Sequence, residues 1–346
     1  MAYDASANPN PAQGANGQPV TYVEAGAGDV GQRLDNFLLR VLKGVPRTHV
    51  YRLLRKGEVR VNSKRAKPTQ RLAEGDRIRL PPVRRTQTDG ARPASATLQT
   101  LIVEAILYED DDLIVFNKPA GVAVHGGSGM SHGLIEALRA ARPDDSELDL
   151  VHRLDRETSG CLVVAKHRAA LRDLHRQFRE GETEKRYLTL LLGHWNLGRK
   201  RIELPLDTDE RRSGERHVAV RQTGAVAIST FEPVQFFGRL ATLAEVELGT
   251  GRTHQIRVHA AYAGHPVAGD DKYGDAAGNE ALRPYGLTRM FLHSSTIGLT
   301  RPGTREPLHV SAPLADDLRA VLDALIKAPA APRGATRQRA RRAAGR

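Results

Sequence analysis

Apolar positions along the chain fall first into helical spacing and later into longer runs. Leu34, Phe37, Leu38 and Val41 recur as on one face of a helix, and Pro46-Arg47-Thr48 opens a second helix that carries Val50, Leu53 and Leu54 and stops at Gly57. Residues 58–61 and 76–80 read as short strands, with Asn62-Ser63-Lys64 as the turn in an extended connection. From 81 to 96 apolar periodicity is lost, which predicts a linker. A strand at 113–116 then ends in Asn117-Lys118-Pro119-Ala120-Gly121, and 122–125 resumes it before the loop Gly126-Gly127-Ser128-Gly129. Ala170, Leu171, Leu174 and Phe178 mark the buried stripe of a helix closed by Gly181, residues 185–192 a buried strand, 211–220 a polar hairpin, and 240–248 another strand.

Between these elements lies the stretch 151–160, Val-His-Arg-Leu-Asp-Arg-Glu-Thr-Ser-Gly, with apolar residues leading up to it and the run 161–165 leaving it. The pattern predicts strand, turn, strand. In an extended 151–155, Arg153 and Asp155 share one face and His152 and Leu154 the other. An aspartate beside a guanidinium is a carboxylate at neutral pH, so Asp155 is a nucleophile or base candidate and not an acid. Local pattern alone leaves a second reading open, a turn-stabilising ion pair.

At 346 residues the chain is long enough for two domains with a substantial core, and 40% hydrophobic residues make it globular. A formal net charge of +12 and a pI near 10.1 point to a polyanionic partner, nucleic acid before an anionic membrane surface. Aromatic residues are only 5%, which argues against a surface built on serial base stacking. Cys161 is the single cysteine and sits in an apolar run, so disulfides, cysteine zinc fingers and iron–sulfur clusters are excluded. His254 and His259 lack the His-Glu-x-x-His spacing and a carboxylate to complete a ligand set, and the 126–129 loop lacks the Gly-Lys-Ser/Thr that closes a phosphate loop. Neither a metal nor a nucleotide cofactor is expected. With no secretory segment and no long apolar stretch, a cytoplasmic protein without membrane contact is expected.

The cations are not spread evenly. Arg47, Arg52, Arg55, Lys56, Arg60, Lys64, Arg65 and Lys67 crowd around the two leading helices with little acid among them. Together with Arg33-Leu34-Asp35 and the segment 57–62, this arrangement resembles the S4 RNA-binding domain, and the resemblance implies phosphate contacts from Arg33, Arg47, Arg52, Lys56, Arg60 and Lys64. Further phosphate contacts are expected from Arg172, Arg176 and Arg179 on the polar face of the 170–178 helix.

The string His152-Arg153-Leu154-Asp155-Arg156-Glu157-Thr158-Ser159-Gly160 resembles the active-site motif of the RluA superfamily of pseudouridine synthases. The resemblance continues through Asn117-Lys118-Pro119, the cluster 249–259, Gly264-His265-Pro266, residues 269–274 and Phe291-Leu292-His293, and covers residue 31 to about residue 325. It implies an S4 module joined to an α+β catalytic domain with a large, mostly antiparallel sheet flanked by helices and loops. It also assigns roles. Asp155 is the catalytic carboxylate, attacking C1' or removing the C2' proton; Arg257 pairs with it; Tyr187 stacks on the uracil and relays the C5 proton; Leu292 is an apolar wall; Arg153 fills the space left by the extruded nucleotide. Ser213-Gly214-Glu215-Arg216 and the segment 264–275 look most like the C-type branch, which modifies 23S rRNA, with the D-type branch as the alternative. Glu157 stands where some relatives have aspartate.

The implied partner is 23S rRNA or a large-subunit assembly intermediate, and the implied reaction needs no cofactor because it involves no redox change. A monomer is expected. The domains are read as a disordered tail at 1–20, the S4 module at 31–82, a linker at 83–99, the catalytic domain at 100–326 and a disordered basic tail at 327–346. Two rival readings make different demands: a non-catalytic RNA-binding assembly factor keeps the fold without needing Asp155, and a glycoside hydrolase needs a second carboxylate and a water.

Overall fold

The structure is a computed structural model that describes residues 20–42, 45, 47–83, 96–126, 133–145, 147–210 and 216–328. It divides into two compact units, Met1–Pro93 and Ala94–Arg346. The tails read at 1–20 and 327–346, the linker residues 84–95, the glycine loop from 127 and the hairpin tip 211–215 lie wholly or largely outside the described residues.

In the first unit the elements run β1 (Thr21–Glu24), α1 (Leu34–Val41), α2 (Arg47–Lys56), β2 (Arg60–Val61), β3 (Lys64–Arg65) and β4 (Arg77–Leu80). The strands form a four-stranded sheet in the order β1-β4-β2-β3, and α1 and α2 supply Leu34, Phe37, Leu38, Val50, Leu53 and Leu54 to the core that also buries Ile78. Gly57 ends α2 in the left-handed region, at φ 71°. Asn62 and Ser63 form the tight turn between β2 and β3 with φ of 49° and 66°, conformations an asparagine tolerates better than most residues. Strand β1 has no counterpart in the sequence reading: three of its four residues are exposed, so it carries no apolar alternation to read.

The second unit begins with α3 (Ala96–Glu104), which starts inside the stretch read as linker. There follow β5 (Ile106–Glu109), β6 (Leu113–Lys118), α4 (Leu134–Ala141), β7 (Asp149–Leu150), β8 (Ser159–Ala165), α5 (Arg168–Glu180), β9 (Glu184–Leu192), β10 (Lys200–Glu210), β11 (Arg216–Val220), β12 (Ala225–Phe237) and β13 (Ala241–Leu248). The chain closes with α6 (Gln255–Tyr262), α7 (Ala276–Leu282), β14 (Leu292–Thr300), β15 (Pro307–Ser311) and α8 (Asp316–Lys327). Eleven strands make one sheet in the order β11-β10-β12-β13-β9-β14-β8-β6-β5, with β15 on β14 and β7 on β8. Every pairing is antiparallel except the short one between β8 and β14. All seven residues of β8 are buried, Cys161 among them. The α+β architecture is as the motifs imply.

Two local expectations are corrected. Residues 122–125 are irregular and do not resume the β6 strand. The approach to Asp155 is a loop as well: β7 ends at Leu150, and 151–158 carries no ladder. Other bonds satisfy its backbone. Lys118, fully buried, donates from Nζ to the carbonyls of Pro119, Val122 and Arg156 at 2.8, 2.9 and 3.0 Å, and Gly121 N–H donates to Arg156 O at 2.9 Å. A buried ammonium thus ties the loop, at Arg156 O, to the 119–122 turn.

Candidate active site

Gly160 is the second residue of β8, and only glycine fits there. Its φ is 104°, and an added Cβ would lie 2.1 Å from Ser294 O on β14. That close approach brings the 151–158 loop against the start of β14. The loop is fixed from two further directions. His152 Nε2 accepts a hydrogen bond from Val163 N–H at 3.0 Å while its ring stacks on Phe178 of α5 at 4.8 Å, and Thr158 N–H donates to Asp155 O at 3.1 Å. Burial pulls the His152 imidazole down to about 4, so it stays the neutral acceptor this bond requires.

With His152 turned to the core, Arg153 and Asp155 face a cleft open to solvent. Leu154 lines the cleft too, so the loop does not divide its side chains strictly between two faces. The far wall comes from Tyr187 on β9, Leu248 on β13, Leu292 on β14, and the segment that enters and begins α6, Arg252 to Arg257. All five residues that the motifs single out, Asp155, Arg257, Tyr187, Arg153 and Leu292, meet here. Asp155 is the one carboxylate among the lining residues.

Arg257 is held between two carboxylates. Its Nη1 lies 3.3 Å from Asp155 Oδ2, while Nε and Nη2 form a two-pronged pair with Asp270 at 2.7 and 2.8 Å. The Asp270 side chain is wholly enclosed and also accepts from the backbone N–H of Lys272 and Tyr273. Burial works against ionising it, but Arg257 and those two donors outweigh the burial and hold its carboxyl below the ordinary range. Asp270 therefore anchors Arg257, and Arg257 reaches Asp155 with its remaining nitrogen. Sequence reading placed Asp270 in a motif without a task; its partner lies thirteen residues away on another element.

Tyr187 and Leu292 are buried walls. Burial pushes the Tyr187 phenol up to about 12, against a hydrogen bond with Ser294 that lowers it, so Tyr187 presents a neutral ring to the cleft. Arg153 is exposed, on the rim. His254 enters the cleft with φ 53° and ψ 20°, a left-handed conformation that costs a non-glycine residue on the order of 1 kcal/mol. Its Nδ1 lies 2.8 Å from Tyr273 Oη and its Nε2 3.8 Å from Asp155 Oδ2. The sequence reading considered His254 only as a metal ligand, and nothing local signals its contact with Tyr273.

In the first unit, Arg52, Lys56, Arg60 and Lys64 are exposed. The Arg47 side chain lies outside the described residues. Arg33 is engaged: Nε and Nη2 bond both oxygens of the buried Asp35, at 3.1 and 2.6 Å, which also accepts from Tyr51 Oη. On α5, by contrast, Arg176 is bound to Asp173, Glu180 and Glu182, while Arg172 and Arg179 are exposed and Arg179 lies 3.4 Å from Glu180.

A single carboxylate clamped by arginine at the foot of an apolar-walled cleft, on a large mixed sheet, coincides with a family match. Residues 112–262 match the RNA pseudouridylate synthase family and residues 32–78 the S4 domain. The chain belongs to the RNA pseudouridylate synthase family and is an isomerase. It is 49% identical over 310 residues to the ribosomal large subunit pseudouridine synthase C of Pasteurella multocida, covering 89% of this chain and 94% of that protein. The protein of the same name from Escherichia coli strain K12 is also 49% identical, over 88% of this chain and 97% of its own length. Among solved structures, human RNA pseudouridylate synthase domain containing 4 superposes with a TM-score of 0.56 at 23% identity, covering 66% of this chain and 96% of that one, a likeness of fold. Among the described residues, no helix is long and apolar enough to cross a membrane.

Proposed function

We propose that the protein isomerises specific uridines of 23S ribosomal RNA to pseudouridine, with the target set of the C-type enzymes, and that Asp155 is the catalytic carboxylate. The observation that carries this reading is the lone carboxylate of the cleft, oriented by Arg257 and backed by apolar walls. Breaking the C1'–N1 bond and rejoining the ring through C5 needs an anionic group at the ribose, which attacks C1' or takes the C2' proton, and a dry wall against which the detached uracil can turn. Tyr187 and Leu292 are the wall in this reading. A flipped nucleotide leaves a gap whose opening costs a few kcal/mol, and the exposed planar guanidinium of Arg153 is suited to fill it.

The S4 unit holds RNA through Arg52, Lys56, Arg60 and Lys64, with Arg47 beside them in sequence and Arg33 shared with Asp35. A hydrolytic reading lacks its second carboxylate, because Asp270 is locked to Arg257 with no exposed surface. The domain boundaries proposed are those of the motifs, 31–82 and 100–326, with α3 extending the second unit back to Ala96. The protein is proposed to act as a monomer in the cytoplasm, on 23S rRNA or on an assembly intermediate that contains it.

A nucleotide-resolution pseudouridine map of 23S rRNA from cells carrying the wild type or Asp155→Ala tests the reading. A small set of positions is expected to vanish in the variant and return with the wild type. A 23S rRNA map that stays unchanged in cells lacking the protein overturns the substrate; positions lost in those cells and restored by Asp155→Ala overturn the role of Asp155.

A further inference from the structure

The His254 imidazole links the catalytic cleft to Tyr273 and, through it, to strand β11. Tyr273 Oη accepts a hydrogen bond from Val218 N–H at 2.8 Å and lies 2.8 Å from His254 Nδ1. The phenol has one proton of its own to place, and His254 Nδ1 is the acceptor within reach among the described residues. If Nδ1 carried the imidazole proton instead, two N–H groups would meet one phenol oxygen and the phenol O–H would have no acceptor. Satisfying every donor therefore puts the His254 proton on Nε2.

That proton faces Asp155. Nε2 is 3.8 Å from Asp155 Oδ2, just beyond hydrogen-bonding range, and the same oxygen takes Arg257 Nη1 at 3.3 Å. All the side-chain contacts described for Asp155 fall on Oδ2. The His254 side chain is only 13% exposed, and burial outweighs the pull of Asp155 and keeps the ring neutral. A neutral donor reinforces the carboxylate without adding a second positive charge beside Arg257.

We propose that His254 is a positioning residue for the isomerisation: locked by the Tyr273 hydroxyl as the tautomer with its proton on Nε2, it joins Arg257 in holding Asp155 Oδ2 and leaves Oδ1 free to meet the ribose. The proposal rests on the reading of Asp155 as the catalytic carboxylate. Catalytic hydrogen bonds are often long in the free enzyme and tighten with substrate, and the 3.8 Å gap is of that kind. The left-handed backbone of His254 keeps the ring where both contacts are possible.

The test uses the full-length protein and a 23S rRNA transcript, measuring the single-turnover rate and the transcript Kd separately. His254→Phe is expected to slow the single-turnover step by roughly 10–100-fold, the scale on which a misplaced reacting group acts, with Kd within about 2-fold of the wild type. His254→Gln, whose amide nitrogen reaches the place of Nε2, is expected to recover most of the rate. Tyr273→Phe keeps the ring that lies 5.0 Å from the Arg257 guanidinium and removes only the hydroxyl, so a measurable loss smaller than that of His254→Phe supports the tautomer lock and a wild-type rate overturns it. A wild-type rate in His254→Phe, a loss confined to Kd, or a Gln variant no better than Phe overturns the proposal while leaving Asp155 in place. Turnover by Asp155→Ala overturns the reading beneath it and the positioning role together.

Discussion

Helices α2 and α5 are both rich in arginine, and the structure uses them in opposite ways. On α2, Arg52 and Arg55 are exposed with no carboxylate in ion-pair range among the described residues, and Lys56 is a loose 3.9 Å from Glu58. On α5, Arg176 is shared among three carboxylates and Arg179 lies 3.4 Å from Glu180. An unpaired cation releases counterions when it meets a phosphate; a cation already neutralised by protein carboxylates has to break those contacts first. Positive residues therefore count toward RNA binding only after their acidic neighbours in space are known. A parallel contrast holds inside the catalytic unit, where Arg153 lies open on the rim and Arg257 is clamped between Asp155 and Asp270.

The comparison is sharpest where binding and turnover are measured apart. Arg257→Ala is expected to have the largest effect, lowering the single-turnover rate by about 10³-fold with RNA affinity little changed. It also strands the enclosed Asp270, so thermal unfolding should report a loss of about 3–5 kcal/mol. An affinity loss as large as the rate loss would place Arg257 among the binding residues instead. The triple variant Arg47→Ala, Arg52→Ala, Arg60→Ala should reduce affinity and flatten the salt dependence of log K by at most ~0.9 per lost duplex phosphate contact, leaving the rate of bound complex intact. The matching triple on α5, Arg172→Ala, Arg176→Ala, Arg179→Ala, should leave that slope nearly unchanged; an equal flattening would erase the distinction between the two helices.

Smaller effects are expected from groups that act behind the site. Lys118→Met removes the ammonium donor from the carbonyls of Pro119 and Val122 and leaves Arg156 O with Gly121 N–H alone, and a loss of about 1–3 kcal/mol should appear in thermal melts. Wild-type stability would show that the 151–158 loop is held by other means. Burial lowers His152, His254 and His259 from the ordinary 6.5 to about 4. Between those values the unfolded chain takes up protons that the folded chain refuses, so stability is intact above about 6.5 and declines as pH falls toward 4. The melting temperature should track that window, and a flat profile across it would show that these histidines charge within the fold.

Much of the fold is legible locally. The stripes of α1, α2 and α5 appear as helical spacing, and β6, β9 and β13 as apolar runs. Strand β12 is harder to read. Most of its outer half is exposed, and a register shift between Pro233 and Gln235 breaks its alternation. Residues 151–155 suggest an extended approach to a turn because their apolar flank matches β pairing, but the whole of 151–158 is loop; Lys118 and Val163 N–H supply the competing bonds from elsewhere in the chain.

What the sequence by itself determined is whatever depends on neighbours along the chain: helix stripes, the apolar runs of central strands, the cation-rich opening, and a motif that marks Asp155 as the reactive carboxylate candidate. Tertiary structure alone decided the partners. Asp155 and Arg257 are 102 residues apart, Arg257 finds Asp270 on a different loop, and His254 meets a tyrosine that strand β11 holds by one N–H. An ion pair or a tautomer depends on a few ångströms between groups that only the assembled sheet brings together, and no local pattern encodes such a distance.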